Sequence, residues 1–389
     1  NQNQPVGETP LTNTSQTKSR LRQEAMTTNP IEASQQSAST PTDAVIYLAR
    51  TRRRTMRRKR VRVIILAIAM VLTPLLTVTI GPAAVPVCDV IGVIMSHIPG
   101  LDVNITWSRA VDAIVWQTRL PRIITGLAVG AILGVAGVVL QALVRNPLAE
   151  PYVSSGASTG AATAIILVGA ASSATTGAFA FVGALVATSA VMAIAGRGNS
   201  PLHLILAGLA VGFGFQALTN LLIFSSGSPE TSQSVMFWML GSLGRALWAQ
   251  VPLVTVVAVL LTIAMAICGP ILDALASGDR TAQSVGLNPA KARIIFLVPV
   301  SAAIALAVAA AGGIGFVGLI IPHIIRNLVG HSHRYLVIGS ALASALFLVW
   351  TDAVARIIFA PAELPIGVMT GLIGAPFLTF MVARRHQIG

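Results

Sequence analysis

The chain holds 389 residues, of which 54% are hydrophobic and only 10% charged, where soluble domains carry roughly 25% charged residues. Most of it therefore does not face water. The net charge of +13 does not point to nucleic acid: nine of the 26 basic residues crowd between Arg50 and Arg62, just before an apolar run and with no aromatic side chains among them to stack on bases.

Residues 1–43 are rich in Asn, Gln, Ser, Thr and Pro and nearly free of large apolar residues, the composition of a disordered tail. With the polybasic segment they make a cytoplasmic region over 1–60, ahead of a membrane domain over 61–389. Such a segment holds the neighbouring helix end on the cytoplasmic side and attracts anionic lipid. The first apolar run, about 63–82, is ended by Gly81-Pro82. A helix needs about 20 apolar residues to cross ~30 Å of hydrocarbon, so this run is expected to span rather than to be a cleaved signal. A loop or amphipathic stretch with Asp89, Asp102, Arg109 and Asp112 follows over 83–118. Further spans are predicted at 121–143, 152–170, 177–195, 202–224, 250–269, 294–311, 314–329, 335–352 and 364–383. A short helix is expected near Met236–Leu240, and a charged segment runs from Asp273 to Arg293. About ten crossings make an all-α integral membrane protein, and an even number puts both termini on one side.

Loop charges set the direction. With the N-terminus inside, 21 basic residues fall on the cytoplasmic side and five outside, namely Arg109, Arg119, Arg122, Arg245 and Arg356. Cys88 and Cys268 then lie near opposite faces, too far apart for a disulfide. Gly126, Gly130 and Gly134 repeat at four-residue spacing and share one face of the second span, where small residues let helix backbones approach. Pro74, Pro299, Pro322, Pro365 and Pro376 interrupt or border helices, a pattern closer to a transporter than to an inert anchor.

Chemistry-bearing patterns are scarce. Only His323 and Asp352 fall near span interiors, and His323 reads as a packing residue. That leaves little for an ion-coupled secondary transporter, which needs a relay of buried ionisable groups. No Gly-Lys pair exists, so the phosphate-binding loop of an ATPase is absent. His331 and His333 read as part of a solvated basic turn with Arg334 rather than as metal ligands. No convergent polar set marks an enzyme.

Four segments carry a more specific signal. The first is Arg119-Leu-Pro-Arg122 with the glycine-rich helix and Gln141-Ala-Leu-Val-Arg-Asn146-Pro147-Leu-Ala-Glu150-Pro151. The second is Phe237-Trp238-Met-Leu-Gly241-Ser242-Leu243-Gly244 with Trp248. The third is Gly278-Asp279-Arg280-Thr-Ala-Gln-Ser-Val-Gly286-Leu. The fourth is Gly315-Phe316-Val-Gly318-Leu-Ile-Ile-Pro322-His323, continued by Asp352-Ala-Val-Ala-Arg356 and Pro361-Ala-Glu363-Leu-Pro365-Ile-Gly367. In this order and spacing, over about residues 60–385, they resemble the permease family of ABC importers for iron chelates, haem and vitamin B12.

The resemblance implies the type II ABC importer permease fold and a multi-pass protein of a prokaryotic cell membrane. It implies a homodimer, or a pair with a homologue, over two ABC ATPase subunits, and a binding protein that delivers cargo from outside. No cofactor is implied in this chain; ATP and Mg belong to the ATPase. It places Arg119, Arg122 and Arg356 facing outward, pairing with carboxylates of the binding protein. The alternative for Arg119 and Arg122 is capping of the helix entry. It makes Gly278, Asp279, Arg280 and Gly286 part of coupling helices over about 271–292 that sit on the ATPase. It places a cytoplasmic gate at Ser200, Pro201 and Leu202, where some relatives carry small hydroxyl residues and this chain has Pro201 and Leu202. Phe237–Leu243 and Pro361–Gly367 look slightly closer to the haem branch than to the siderophore branch, so haem is the favoured cargo, with ferric siderophores and cobalamin as alternatives.

Overall fold

A computed structural model describes residues 41–101, 104–146, 159–166, 173–195, 201–226, 229–360 and 362–385. The expected disordered tail up to residue 40, most of the span expected at 152–170, the segment Pro147–Pro151 and Ser200 lie outside them. The chain divides into two compact units, Asn1–Arg60 and Val61–Gly389, and the helical bundle is the second.

Every described element is helical. In chain order they are α1 (Pro41–Thr79), α2 (Val87–Ser96), α3 (Arg109–Val144), α4 (159–166), α5 (Ser173–Ala195), α6 (Pro201–Ser226) and α7 (Pro229–Met239). Then come α8 (Val251–Ile267), α9 (Gly269–Ala276), α10 (Asp279–Ser284), α11 (Pro289–Ala311), α12 (Val317–Val329), α13 (His333–Ile358) and α14 (Ile366–Arg385). Among the described residues, five helices are long and apolar enough to cross a membrane, or six if the bent pair α8–α9 counts as one.

Several boundaries differ from expectation for local reasons. Helix α1 starts at Pro41, so the polybasic segment is helical; Arg, Lys, Ala and Met are good helix formers, and Pro suits a helix start. The second span starts twelve residues early, at Arg109 rather than Pro121, through a π-helical stretch, Ala113–Arg119. Helix α13 runs past the expected end at 352 to Ile358, which puts Asp352 and Arg356 one turn apart on one face.

Helix α3 is the axis of the second unit. Between Leu120 and Val144 every residue except Ile124 is buried. It packs against α8, α11, α12 and α13. Its glycines do the work their spacing predicts. A Cβ on Gly130 would sit 2.6 Å from the Ser344 carbonyl oxygen, and one on Gly134 2.6 Å from that of Ser340. Ser340 and Ser344 repeat the same four-residue spacing on α13, so two small-residue stripes face each other. A Cβ on Gly137 would clash with the Gly318 carbonyl oxygen of α12. At the periphery, α1 exposes Ile64, Ile65, Ile68, Val71, Leu72 and Leu76, and α8 exposes Leu253, Val256, Leu260 and Ile263. Apolar surface this extensive is what a membrane covers.

Candidate functional site

Charge collects at the two ends of α3, from Arg122 to Arg145, about 34 Å apart along the helix. That is close to the ~30 Å of a hydrocarbon core.

At the first end, Arg119, Arg122 and Arg356 are brought together and buried. Their relative exposures are 5%, 5% and 2%. Arg122 forks onto Asp352: Nε donates to Oδ1 and Oδ2 at 3.1 and 3.0 Å, and Nη2 to Oδ1 at 2.8 Å. Its Nη1 donates to Glu363 Oε2 at 2.8 Å. Arg356, one turn beyond Asp352 on α13, pairs with the same carboxylate at 3.2 Å. Buried charges persist only when paired and hydrogen-bonded, and here the carboxylates come from this chain.

The other nitrogens of these arginines close a helix end. Arg119 Nη1 donates to the Val78 carbonyl at 2.6 Å and Nη2 to that of Ala83. Arg356 donates to the Ile80 and Thr77 carbonyls at 2.8 and 3.2 Å. The last carbonyls of a helix have no intrahelical partner and attract cations. Arg119 and Arg356 therefore cap the end of α1, whereas Arg122 ties α3 to α13. Of the two alternatives for Arg119, the geometry displays capping, of a different helix from the one expected.

The second and fourth motifs meet beside this cluster. The N–H groups of Ile366 and Gly367 each donate at 3.0 Å, to the carbonyls of Gly241 and Leu240, and Ser242 N–H donates to that of Ala311 at 2.8 Å. A side chain on Gly241, at φ +74°, would strike the Gly313 carbonyl oxygen at 2.5 Å. The π-helical stretch frees the Trp116 carbonyl, which accepts from Trp248 Nε1 at 2.7 Å, and Trp116 stacks on His97 at 4.0 Å between ring centres.

At the opposite end, α8 breaks at Cys268 and α9 leaves at 62°. Helices α9 and α10 follow with a turn at Gly278, at φ +119°, a backbone conformation that needs glycine. Gly286, at φ +81°, turns the chain towards α11 in open space. Asp279 pairs with Arg293 at 2.6 Å and with Arg145 at 3.8 Å, while Arg280 is exposed. Asn288 Oδ1 accepts from Lys291 N–H at 3.2 Å and caps α11. Two short helices joined at Gly278 therefore occupy most of the segment 271–292. Beside it, an apolar cavity of about 660 Å³ lies between α8 and α11, with Asn288 and Lys291 at one end. Pro201 opens α6, and the side chains of Pro201 and Leu202 are outside the described residues, as is all of Ser200.

One expectation is corrected outright. His333 is no part of a solvated turn: it is 3% exposed, and its ring Nδ1 and backbone N–H both donate to Asp273 Oδ1, at 2.6 and 3.0 Å. Local sequence hides this pair, because the two residues lie 60 positions apart. Glu363 was likewise legible only as part of a motif, not as the partner of Arg122.

The comparisons agree with this architecture. The FecCD transport family model matches residues 58–384. The vitamin B12 import system permease protein BtuC of Salmonella paratyphi A is 40% identical over 279 residues, covering 70% of this chain and 84% of that protein. The Fe(3+)-citrate import system permease protein YfmD of Bacillus subtilis is 34% identical over 300 residues, 76% of this chain and 89% of that one. A solved metal-chelate type ABC transporter in an inward-facing conformation superposes with a TM-score of 0.71 at 30% identity, covering 83% of this chain and 98% of that one. The chain belongs to the FecCD transport family: it is a multi-pass, membrane-spanning permease subunit of an ABC importer, not an enzyme.

Proposed function

We propose that two copies of this permease, or one copy and a homologue, form the membrane core of a metal-chelate importer. The core takes its cargo from an extracytoplasmic binding protein and is driven by two ATPase subunits at its cytoplasmic end. The observation that carries this is the placement of two unlike charged devices at opposite ends of α3. The arginine cluster is the outer end, because the 21-to-5 division of basic residues puts the α9–α10 end inside. Helices α9 and α10, with Gly278, Asp279, Arg280 and Gly286, are the ATPase contact. The start of α6, at Ser200, Pro201 and Leu202, is the gate region.

Docking at the outer end works by exchange rather than by bare arginines. Glu363 holds Arg122 Nη1 while its own side chain is 38% exposed. A carboxylate on the binding protein takes the place of Glu363 at that nitrogen, and Arg119 and Arg356 keep the platform in shape. Glu363→Gln weakens the internal competitor by about 1 kcal/mol, so docking should tighten by roughly fivefold in Kd. Weaker docking in that variant contradicts the exchange.

Haem is the cargo to test first. Its support is sequence alone: the two stretches that lean towards the haem branch, which the fold also sets side by side. Cobalamin and ferric citrate, named in relatives, are the alternatives, with ferric siderophores. Proteoliposomes holding the permease, its ATPase and its binding protein should take up haem with ATP. Preference for another chelate removes haem and keeps the importer. Uptake without the ATPase, under an ion gradient, would support a secondary transporter instead.

A further inference from the structure

Helix α13 carries one charged device at each end. Its far end holds Asp352 and Arg356 in the buried cluster. Its first residue, His333, is held by Asp273 of α9, about 28 Å away along the helix. A helix start has free N–H groups, and Ser332, the residue at the cap position, makes no side-chain hydrogen bond to them. The cap comes instead from another element: Asp273 accepts from the His333 N–H and ring together. One turn earlier on the same face of α9, Gly269 lies against Arg334, where a Cβ would meet the backbone nitrogen at 2.7 Å. Leu272 and Leu275 of α9 are buried, at 0% and 1% exposure. Asp279, next along the segment, reaches Arg145 at the end of α3, but at 3.8 Å and with both side chains about a third exposed.

From this juxtaposition we infer that Asp273 is the positioning residue through which the coupling segment and the outer arginine cluster bias one another, by way of α13. This rests on the proposal that α9 and α10 face the ATPase. Helix α13 is gripped at both ends by groups that cannot slip without leaving a buried charge or a helix start unpaired, so a shift of α9 displaces the whole helix. Physical coupling of this kind needs a rigid element that both sites bias, and α13 is one. The Asp279–Arg145 contact, at 3.8 Å and with neither side chain buried, is too long to serve in the same way; Asp273 is itself 42% exposed, but it holds a His333 side chain only 4% exposed at 2.6 Å.

The test uses the assembled complex of permease, ATPase and binding protein in proteoliposomes, as wild type, Asp273→Ala, Asp273→Asn and Arg145→Gln. In Asp273→Ala, complex assembly and basal ATP hydrolysis should hold, while stimulation of ATP hydrolysis by the binding protein falls by at least about fivefold. Asp273→Asn keeps an acceptor for the His333 N–H and should lie between it and wild type, a graded rescue that mere loss of folding would not give. Arg145→Gln, which removes the longer contact from the α3 side and leaves the ATPase-contact residues in place, should stay within about twofold of wild type. Full stimulation in Asp273→Ala overturns the inference, as does an equal fall in basal and stimulated activity in both Asp273 variants. Should Asp273→Ala fail to assemble, Asp273→Asn decides alone, with unchanged stimulation counting against. A wild-type complex without ATP-driven uptake refutes the importer proposal itself, and is thereby told apart from a failure of the Asp273 link.

Discussion

The two ends of α3 hold charge in opposite ways. At the arginine end, Arg122 and Asp352 have side-chain exposures of 5% and 3% and bond through a fork of three hydrogen bonds. At the other end, Arg145 and Asp279 are exposed by 34% and 35% and stand 3.8 Å apart. The first arrangement fixes geometry, because a buried guanidinium has no water to fall back on. The second tolerates movement, because Arg145 can return to solvent at little cost while Asp279 keeps Arg293 at 2.6 Å. A permease worked by external subunits gains from both: an end that keeps its shape and an end that yields.

The sharpest way to break this contrast is at the rigid end. Arg122→Leu should cost about 3–5 kcal/mol, because Asp352 is left with one cation. Thermal unfolding in detergent measures this, and adding Asp352→Asn should return part of the loss. A cost below about 1 kcal/mol would erase the distinction between the ends. Arg122→Glu, the natural charge reversal if the arginine were on the surface, should unfold the protein rather than only weaken docking.

Next in size is the axis joining the ends. Gly134→Ala should cost about 1–3 kcal/mol, since its Cβ would lie 2.6 Å from the Ser340 carbonyl oxygen. Gly371→Ala on α14, where nothing lies within 4 Å, should be neutral or up to about 1 kcal/mol stabilising. Equal effects at the two glycines would show that the small-residue stripe is not a packing contact.

At the yielding end, Gly286→Val forces a β-branched residue to φ +81° and should cost about 1–2 kcal/mol of local strain. Coupled transport should fall more than ATPase binding, and normal transport would count against a coupling role. Smallest of all, Asp279→Ala should change stability by about 0.2–1 kcal/mol. A loss as large as that of Arg122→Leu would show that both ends are rigid.

What could be read from the sequence followed from period and composition. The glycine stripe and most helix positions depend on residues close in sequence, and both are in the structure. The start of α3 could not be read, because a π-helical stretch rich in Ile, Val and Trp looks like any apolar segment. Nor could the burial of Arg119, Arg122 and Arg356. An arginine beside an apolar run is taken as an interface residue unless its carboxylate is known, and Asp352 and Glu363 lie 230 and 241 positions from Arg122. His333 escaped for the same reason: beside His331 and Arg334 it looked solvated, and only the fold brings Asp273 to it.

The central claim is that this helical protein draws its energy from a partner at its inner end. ATP-driven uptake in proteoliposomes tests it most directly, with permease, ATPase and binding protein present together and each left out in turn. Chelate should accumulate only with all three and ATP. Accumulation by the permease alone under a proton or sodium gradient would contradict the account.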